Sequence, residues 1–151
     1  MTLGSLLSPG QILPEMQATD RWAAIVELVD LLVSSGKIAP ADREGILADL
    51  RKREESMSTG IGFGIAIPHT SSVRVTSVVA AFGRSTTGIE FEALDNAPVK
   101  FIVLFVVPKD EFQTHLRTLA AIAKFLNDRT VRERLASASN TGEILAIFGA
   151  G

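Results

Sequence analysis

His69 is the side chain of this sequence best suited to act as a nucleophile. The chain holds two histidines and no cysteine or tyrosine, and His69 comes directly after the apolar stretch 65–67 and Pro68. That stretch predicts a short buried strand, and Pro68 fixes its own φ and biases the residue before it toward extended geometry. We therefore expect His69 at the end of a strand, facing a cleft. An imidazole with an ordinary pKa of about 6.5 is largely neutral at pH 7, so one ring nitrogen has a lone pair for a metal or an electrophilic phosphorus.

The residues after His69 add groups that bind oxygen. Thr70, Ser71 and Ser72 offer hydroxyls and main-chain N–H groups to an oxyanion. A lone Pro-His pair more often marks an ordinary strand end than a reactive site, so the surrounding sequence has to decide between the two interpretations.

His115, the second histidine, falls in the first turns of a predicted helix. It precedes Leu119, Ile122 and Leu126 by 4, 7 and 11 residues, which places it at the border of the apolar face and directs it toward the sheet. From the residues alone, the simpler interpretation is a buried histidine hydrogen-bonded to a main-chain carbonyl.

Periodicity and capping signals predict the elements that position these histidines. Thr19 or Asp20 caps a helix that ends at Gly36, and a second helix begins near Pro40 and runs to Arg53. Strands are predicted at 61–67, 76–84 and 99–107, the last being the continuous apolar run typical of a central strand. The glycines at 60, 62 and 64 do not indicate a dinucleotide-binding loop, because strand-like sequence follows them where a helix is required.

Past Pro108 the sequence turns helical to its end. Asp110 and Gln113 fit a capping box that opens a helix. Two shorter helices are predicted at 128–135 and 141–148. The residues expected to face inward from the helix that Asp110 opens are Leu116, Leu119, Ala123 and Leu126.

Composition predicts one compact α/β domain over residues 1–151. With 151 residues, 46% of them hydrophobic, the chain can build one sizeable core and has no room for two ordinary domains. The expected fold is a mixed β-sheet flanked by helices on both faces. A net charge of −2 argues against nonspecific nucleic-acid binding.

The sequence also predicts the cellular compartment of the protein. The absence of cysteine excludes disulfides and suits a reducing cytoplasm, so we expect a cytoplasmic protein. The longest apolar run, 101–107, is too short to span a bilayer, and the N-terminus lacks the basic-then-apolar order of a secretory signal. We therefore expect no integral membrane segment.

Four segments together resemble a known family. The segment around His69 (58–69, STGIGFGIAIPH) with Arg53 and Glu54 upstream is similar to the phosphorylation site of enzyme IIA domains of the fructose/mannitol class. These domains belong to the phosphoenolpyruvate-dependent sugar phosphotransferase system and include stand-alone nitrogen-regulatory members. The resemblance continues through 88–99, 101–108 and 114–123, in the family's order and at about its spacing. Thr70 departs from the family, where glycine or alanine is common after the histidine.

The resemblance implies a phosphoryl relay on the enzyme IIA fructose/mannitol-type fold. His69 would accept phosphate from the phosphohistidine of the histidine-containing phosphocarrier protein and pass it to a IIB domain, or carry it as a regulatory signal. His115 would lie beside His69 and donate an N–H to the phosphoryl oxygens, and Arg53 would neutralise their charge. Thr59 and Thr70 are candidates for further oxygen contacts. No metal or other cofactor is required.

Two other classes of function stay open. A zinc site would use His69 and His115, with Asp95 or Glu90 as a third ligand, although no ligand motif supports it. A non-catalytic regulatory module would bind a transporter, such as a permease, or a kinase according to its phosphorylation state. The absence of a fused permease or IIB domain favours the regulatory branch.

Overall fold

The fold is described from a computed structural model for residues 3–56, 60–91, 93 and 95–149. Two helices follow the first short strand, five consecutive strands come next, and helices alone follow the last strand. In chain order the elements are α1 (Leu3–Leu6), β1 (Ile12–Leu13), α2 (Arg21–Ser34), α3 (Arg43–Ser56), β2 (Gly60–Gly62), β3 (Ile65–Ala66), β4 (His69–Ser72), β5 (Val79–Ile89), β6 (Val99–Pro108), α4 (Phe112–Leu126), α5 (Arg129–Ser137) and α6 (Thr141–Gly149). Short 3-10 turns lie at Pro9–Gln11, Pro40–Asp42 and Lys109–Glu111.

Strand β6 is the centre of a mixed sheet. The strand order is β1-β5-β6-β3-β2, and β4 also pairs with β6. Strand β5 runs antiparallel to β6 on one side, whereas β3 and β4 run parallel to β6 on the other. Strands β3 and β4 thus follow each other along one side of β6, separated by Ile67 and Pro68, and the main-chain N–H of Phe105 donates to the Pro68 carbonyl at 3.0 Å. The mixed sheet predicted from the sequence is confirmed.

The two faces of the sheet bury two separate cores because side chains alternate along each strand. From β6, the even-numbered residues from Ile102 to Val106 pack against α2 and α3. The odd-numbered residues from Phe101 to Val107 pack against α1, α4, α5 and α6. Every side chain from 102 to 107 is essentially inaccessible to solvent, which explains the unbroken apolar run of this strand. Helices on both faces confirm the predicted architecture.

Most of the helix starts predicted from the sequence are confirmed. The Asp20 side chain caps α2 by accepting from the Ala23 N–H at 3.0 Å, and Asp128 caps α5 through the N–H groups of Thr130 and Val131. The 3-10 turn that begins at Pro40 leads into α3.

Two predictions for α4 were wrong. The residue at its N-cap is Glu111, and no side chain caps the helix, because Asp110 lies in the preceding 3-10 turn and the proposed capping box with Gln113 does not form. Leu116 is 42% exposed. The buried face of α4 is formed by His115, Ile122 and Leu126, so Leu116 lies one residue away from the stripe that faces the sheet.

The predicted strand 61–67 is a hairpin. Strands β2 and β3 pair antiparallel, and Phe63 and Gly64 turn between them with φ of 58° and 78°. The Phe63 N–H donates to the Asp95 carboxylate at 3.1 Å, which supports this uncommon left-handed conformation of a non-glycine residue. The strand predicted at 76–84 begins later and runs to Ile89, whereas that at 99–107 is correct to within one residue.

A search of the described residues for membrane-spanning helices finds none with the length and apolar character needed to cross a bilayer.

Candidate active site

His69 opens β4 immediately after Pro68, and its ring is oriented by the main chain. The Nδ1 atom lies 2.7 Å from the carbonyl oxygen of Ile67. A carbonyl oxygen only accepts hydrogen bonds, so Nδ1 carries the proton and the neutral ring has its lone pair on Nε2. The nucleophilic atom of His69 is therefore Nε2.

The surroundings of His69 lower its pKa below 6.5. Burial of the ring is the main cause, because it disfavours the charged imidazolium, and the nearby Arg53 guanidinium acts in the same direction. The Ile67 carbonyl and the Glu54 carboxylate oppose this change without reversing it. His69 is consequently neutral, with Nε2 available, at pH 7 and somewhat below.

Aromatic rings flank His69 on the α4 side of the sheet. The Phe112 ring stacks nearly parallel to the imidazole, with 6.4 Å between ring centroids and 12° between the planes. In β6, Phe105 is the register partner of His69 and faces the same core. The Nδ1 hydrogen bond orients the imidazole, and the Phe112 ring lies beside one of its faces.

His115 lies on the buried face of α4, as its helical spacing predicts. It is 6% exposed and meets Phe105 edge to face, with ring centroids 6.1 Å apart. Phe105 is also the register partner of His69, so the same β6 residue lies next to both histidines. The Nε2 atom of His115 lies 3.5 Å from a carboxylate oxygen of Glu111, one turn earlier.

Arg53 approaches the site from the other side, on the last turn of α3. It is half-buried, and its charge acts on His69. The next residue, Glu54, is 1% exposed, and its carboxylate lies 3.6 Å from the Arg21 guanidinium. The structure thus places Arg53 within electrostatic range of His69, and the β6 residue Phe105 links the position of His69 to that of His115.

The two candidate threonines are placed differently. Thr70 pairs with Val106, so its side chain lies on the opposite face of the strand from that of His69. Its hydroxyl donates to the Ser71 carbonyl at 3.2 Å. Thr59 lies outside the described residues.

The residues suggested for a zinc site do not come together. Among the described residues, no group of three or more histidine and acidic side chains is arranged to hold a metal ion. The Asp95 carboxylate instead accepts from the main-chain N–H groups of Ala97 and Phe63, which lowers its pKa and fixes the turn before β6.

Several contributors to the site were not identified from the sequence. The Ile67 carbonyl and Phe112 contact His69, and no local motif marks them. Glu111 precedes His115 by four residues, a helical spacing that brings two side chains together and that could have indicated this contact. Glu54 could have been found, because it continues the buried stripe of Ile46 and Leu50 at spacings of four residues.

Comparison with known families identifies the class of protein to which this fold belongs. The profile described as "Phosphoenolpyruvate-dependent sugar phosphotransferase system, EIIA 2" matches residues 5–150. The chain belongs to this enzyme IIA family.

Individual relatives point to both the sugar and the nitrogen branches of the family. A fructose-specific EIIA component of Haloferax volcanii is 39% identical over 128 residues, which cover 85% of this chain and 81% of the relative. The crystal structure of the nitrogen regulatory protein IIA-Ntr from Neisseria meningitidis superposes with a TM-score of 0.87 and 29% identity, over 97% of this chain and 98% of that one.

A structure of the Escherichia coli enzyme IIA for mannitol in complex with its phosphorylated IIB has the same fold. It superposes with a TM-score of 0.78 and 22% identity, over 96% of this chain and 98% of that one.

Proposed function

We propose that this protein is a phosphoryl-relay component that carries phosphate on Nε2 of His69. The donor is the phosphohistidine of the histidine-containing phosphocarrier protein, and the acceptor is a second protein such as a IIB domain. The P–N bond of the donor breaks as a P–N bond to Nε2 forms. His69 can attack without first losing a proton, because the proton on Nδ1 stays in its hydrogen bond to Ile67.

The observation that carries this proposal is the state of the His69 ring. A backbone carbonyl fixes its tautomer, and burial keeps it neutral. A neutral, oriented imidazole with one accessible lone pair is what in-line transfer between two nitrogens requires.

Arg53 and His115 supply what the phosphoryl oxygens need. Phosphoryl transfer places charge on three equatorial oxygens, so catalysis depends on preorganised positive charge and N–H donors. The Arg53 guanidinium provides the charge from α3, and the His115 ring provides a donor from α4. His69 is only partly buried, which leaves it accessible to a partner protein.

A labelling experiment tests the nucleophile. The protein is incubated with phosphoenolpyruvate, enzyme I and the phosphocarrier, and the phosphorylated peptide is mapped by mass spectrometry. We expect one acid-labile, alkali-stable phosphate on His69, joined at Nε2 in ³¹P–¹⁵N correlation spectra. His69→Ala should lose the label completely, whereas His115→Ala should retain it. Label that survives in His69→Ala, or that resides on Nδ1, would contradict the proposal.

A regulatory use of the same phosphohistidine is the second candidate. The high structural similarity to a nitrogen regulatory protein favours it. In that case the phosphorylated and unphosphorylated forms differ in affinity for a target such as a transporter or kinase. Incubating the phosphorylated protein with candidate IIB domains separates the two uses, because only a relay component discharges its phosphate onto one of them.

A further inference from the structure

Glu111 stands at the N-cap of α4, but its side chain does not cap the helix. It is the N-cap residue of α4, with φ −112° and ψ 9°, and its side chain makes no capping hydrogen bond. Glutamate is not among the preferred N-cap residues. Its carboxylate turns instead toward the buried ring of His115 and stops 3.5 Å from Nε2.

The same turn of chain also reaches His69. Phe112, the residue after Glu111, stacks on the His69 imidazole. The first residues of α4 therefore contact both histidines, with a negative charge next to one and an aromatic ring next to the other. The Glu111 side chain is 46% exposed, so its carboxylate can leave the contact and be solvated without unfolding the helix.

A phosphoryl group on His69 would bring strong negative charge to this place. Under the proposed function, His115 donates to the phosphoryl oxygens, and the Glu111 carboxylate already lies beside that ring. Like charges at short range repel, and the repulsion is larger in a partly buried site than in water. The carboxylate and the phosphoryl group thus compete for His115.

We propose that Glu111 is a positioning residue that tunes the phosphoryl-transfer potential of the site. It holds Nε2 of His115 in the unphosphorylated protein and disfavours the phosphorylated one, so that the phosphate on His69 passes more readily to an acceptor. This inference rests on the proposed function of His69 and adds a residue for which no role has been assigned above.

Competition between the Glu111 carboxylate and the phosphoryl group predicts in which direction the equilibrium of phosphoryl transfer to His69 changes. Glu111→Gln keeps the shape of the side chain and removes its charge, so phosphorylated His69 should become more stable. The equilibrium constant for transfer from the phosphocarrier to His69 should rise by about 5- to 10-fold, the scale expected for one partly screened charge. Quantifying both phosphoproteins at equilibrium by intact mass gives the constant directly. A value that is unchanged or lower in Glu111→Gln overturns the proposal.

Two further variants separate charge from other effects. Asp110→Asn removes the same charge from the exposed neighbouring residue and should leave the constant within about twofold of wild type. Glu111→Asp keeps the charge on a shorter side chain and should stay closer to wild type than to Glu111→Gln. If either variant matches Glu111→Gln, the local carboxylate of Glu111 is not the cause.

A spectroscopic measurement tests the movement of the carboxylate. In protein labelled with ¹³C-glutamate, the Glu111 carboxylate resonance should shift on phosphorylation, whereas that of Glu133, which pairs with Arg129 on α5, should not. A Glu111 resonance that does not move overturns the proposal. A helix-stabilising role alone would lower the melting temperature of Glu111→Gln without moving this resonance or the equilibrium. Absence of label on His69 in wild type would overturn the proposed function as well, so the two failures are distinguishable.

Discussion

The side chains that approach His69 from α3 differ in type from those that approach it from α4. On the α3 side the neighbouring groups are charged, with Arg53 at the helix end and the buried Glu54 paired to Arg21. On the α4 side they are aromatic, with Phe105, Phe112 and the imidazole of His115. Desolvation by burial and the guanidinium charge lower the pKa of His69 in the same direction. The comparison suggests a division of labour, in which α3 neutralises charge and α4 orients and shields the reacting rings.

Removing the donor on the α4 side should have the largest effect. We expect His115→Ala to slow single-turnover transfer from the phosphocarrier by about 100-fold or more while His69 still becomes labelled, because one preorganised donor to the phosphoryl oxygens is lost. His115→Gln should recover part of the rate, since an amide N–H can reach a similar place. Rapid-quench measurements at matched folded fraction provide the test. Wild-type transfer rates in both variants would show that His115 only packs in the core and takes no part in transfer.

Removing the charge on the α3 side should have a smaller effect. Arg53→Ala should slow transfer by about 10-fold, because Arg53 is only half-buried and solvent screens its charge. Lys52→Ala, which removes an exposed neighbouring charge on the same helix, serves as the control and should transfer normally. Circular dichroism checks that both variants are folded. Equal rates for the two variants would mean that Arg53 has no specific role and that the α4 side suffices.

The smallest effect should come from removing the Phe112 ring beside His69. Neutral His69 is the nucleophile, so the transfer rate falls as the pH drops through its pKa, which burial has moved below 6.5. Phe112→Ala admits water to the ring and should raise this pKa toward its ordinary value. The acid limb of the pH–rate profile then moves to higher pH, with a loss of a few-fold near pH 6 and little change at pH 8.

Leu116→Ala provides the control for Phe112→Ala, because Leu116 is an exposed apolar residue of the same helix. An NMR titration of the His69 ring measures the pKa directly in both variants. If the pKa and the acid limb of Phe112→Ala coincide with those of wild type, Phe112 does not shield His69.

The sequence was informative where one residue type serves one physical purpose. The central strand could be predicted because a strand buried on both faces has to be apolar throughout, and Asp20 could be predicted as a candidate cap because its carboxylate satisfies a free helix N–H group. His69 stood out because a proline and an apolar stretch precede it. These features depend on near neighbours in the chain.

Features set by distant contacts could not be predicted in the same way. The hairpin within 60–66 was mistaken for one strand, since its turn places Phe63 in a conformation that usually favours glycine and Asp95, far along the chain, supports it. Leu116 was expected inside because the helix face was estimated without its exact rotation against the sheet. The contact of Phe112 with His69 likewise depends on how α4 packs on the sheet, which no local pattern encodes.

The hydrogen bonding of β6 has a consequence for how a phosphorylated form would be recognised. This strand is paired on both sides, by β5 on one and by β3 and β4 on the other, and it holds the backbone next to His69 through the Pro68 carbonyl. Its amides should be among the slowest in the protein to exchange with solvent. We therefore expect phosphorylation of His69 to leave the far side of the molecule unchanged. Under the proposed function, a partner that distinguishes the two forms would therefore have to contact the phosphate itself, at the surface beside His69.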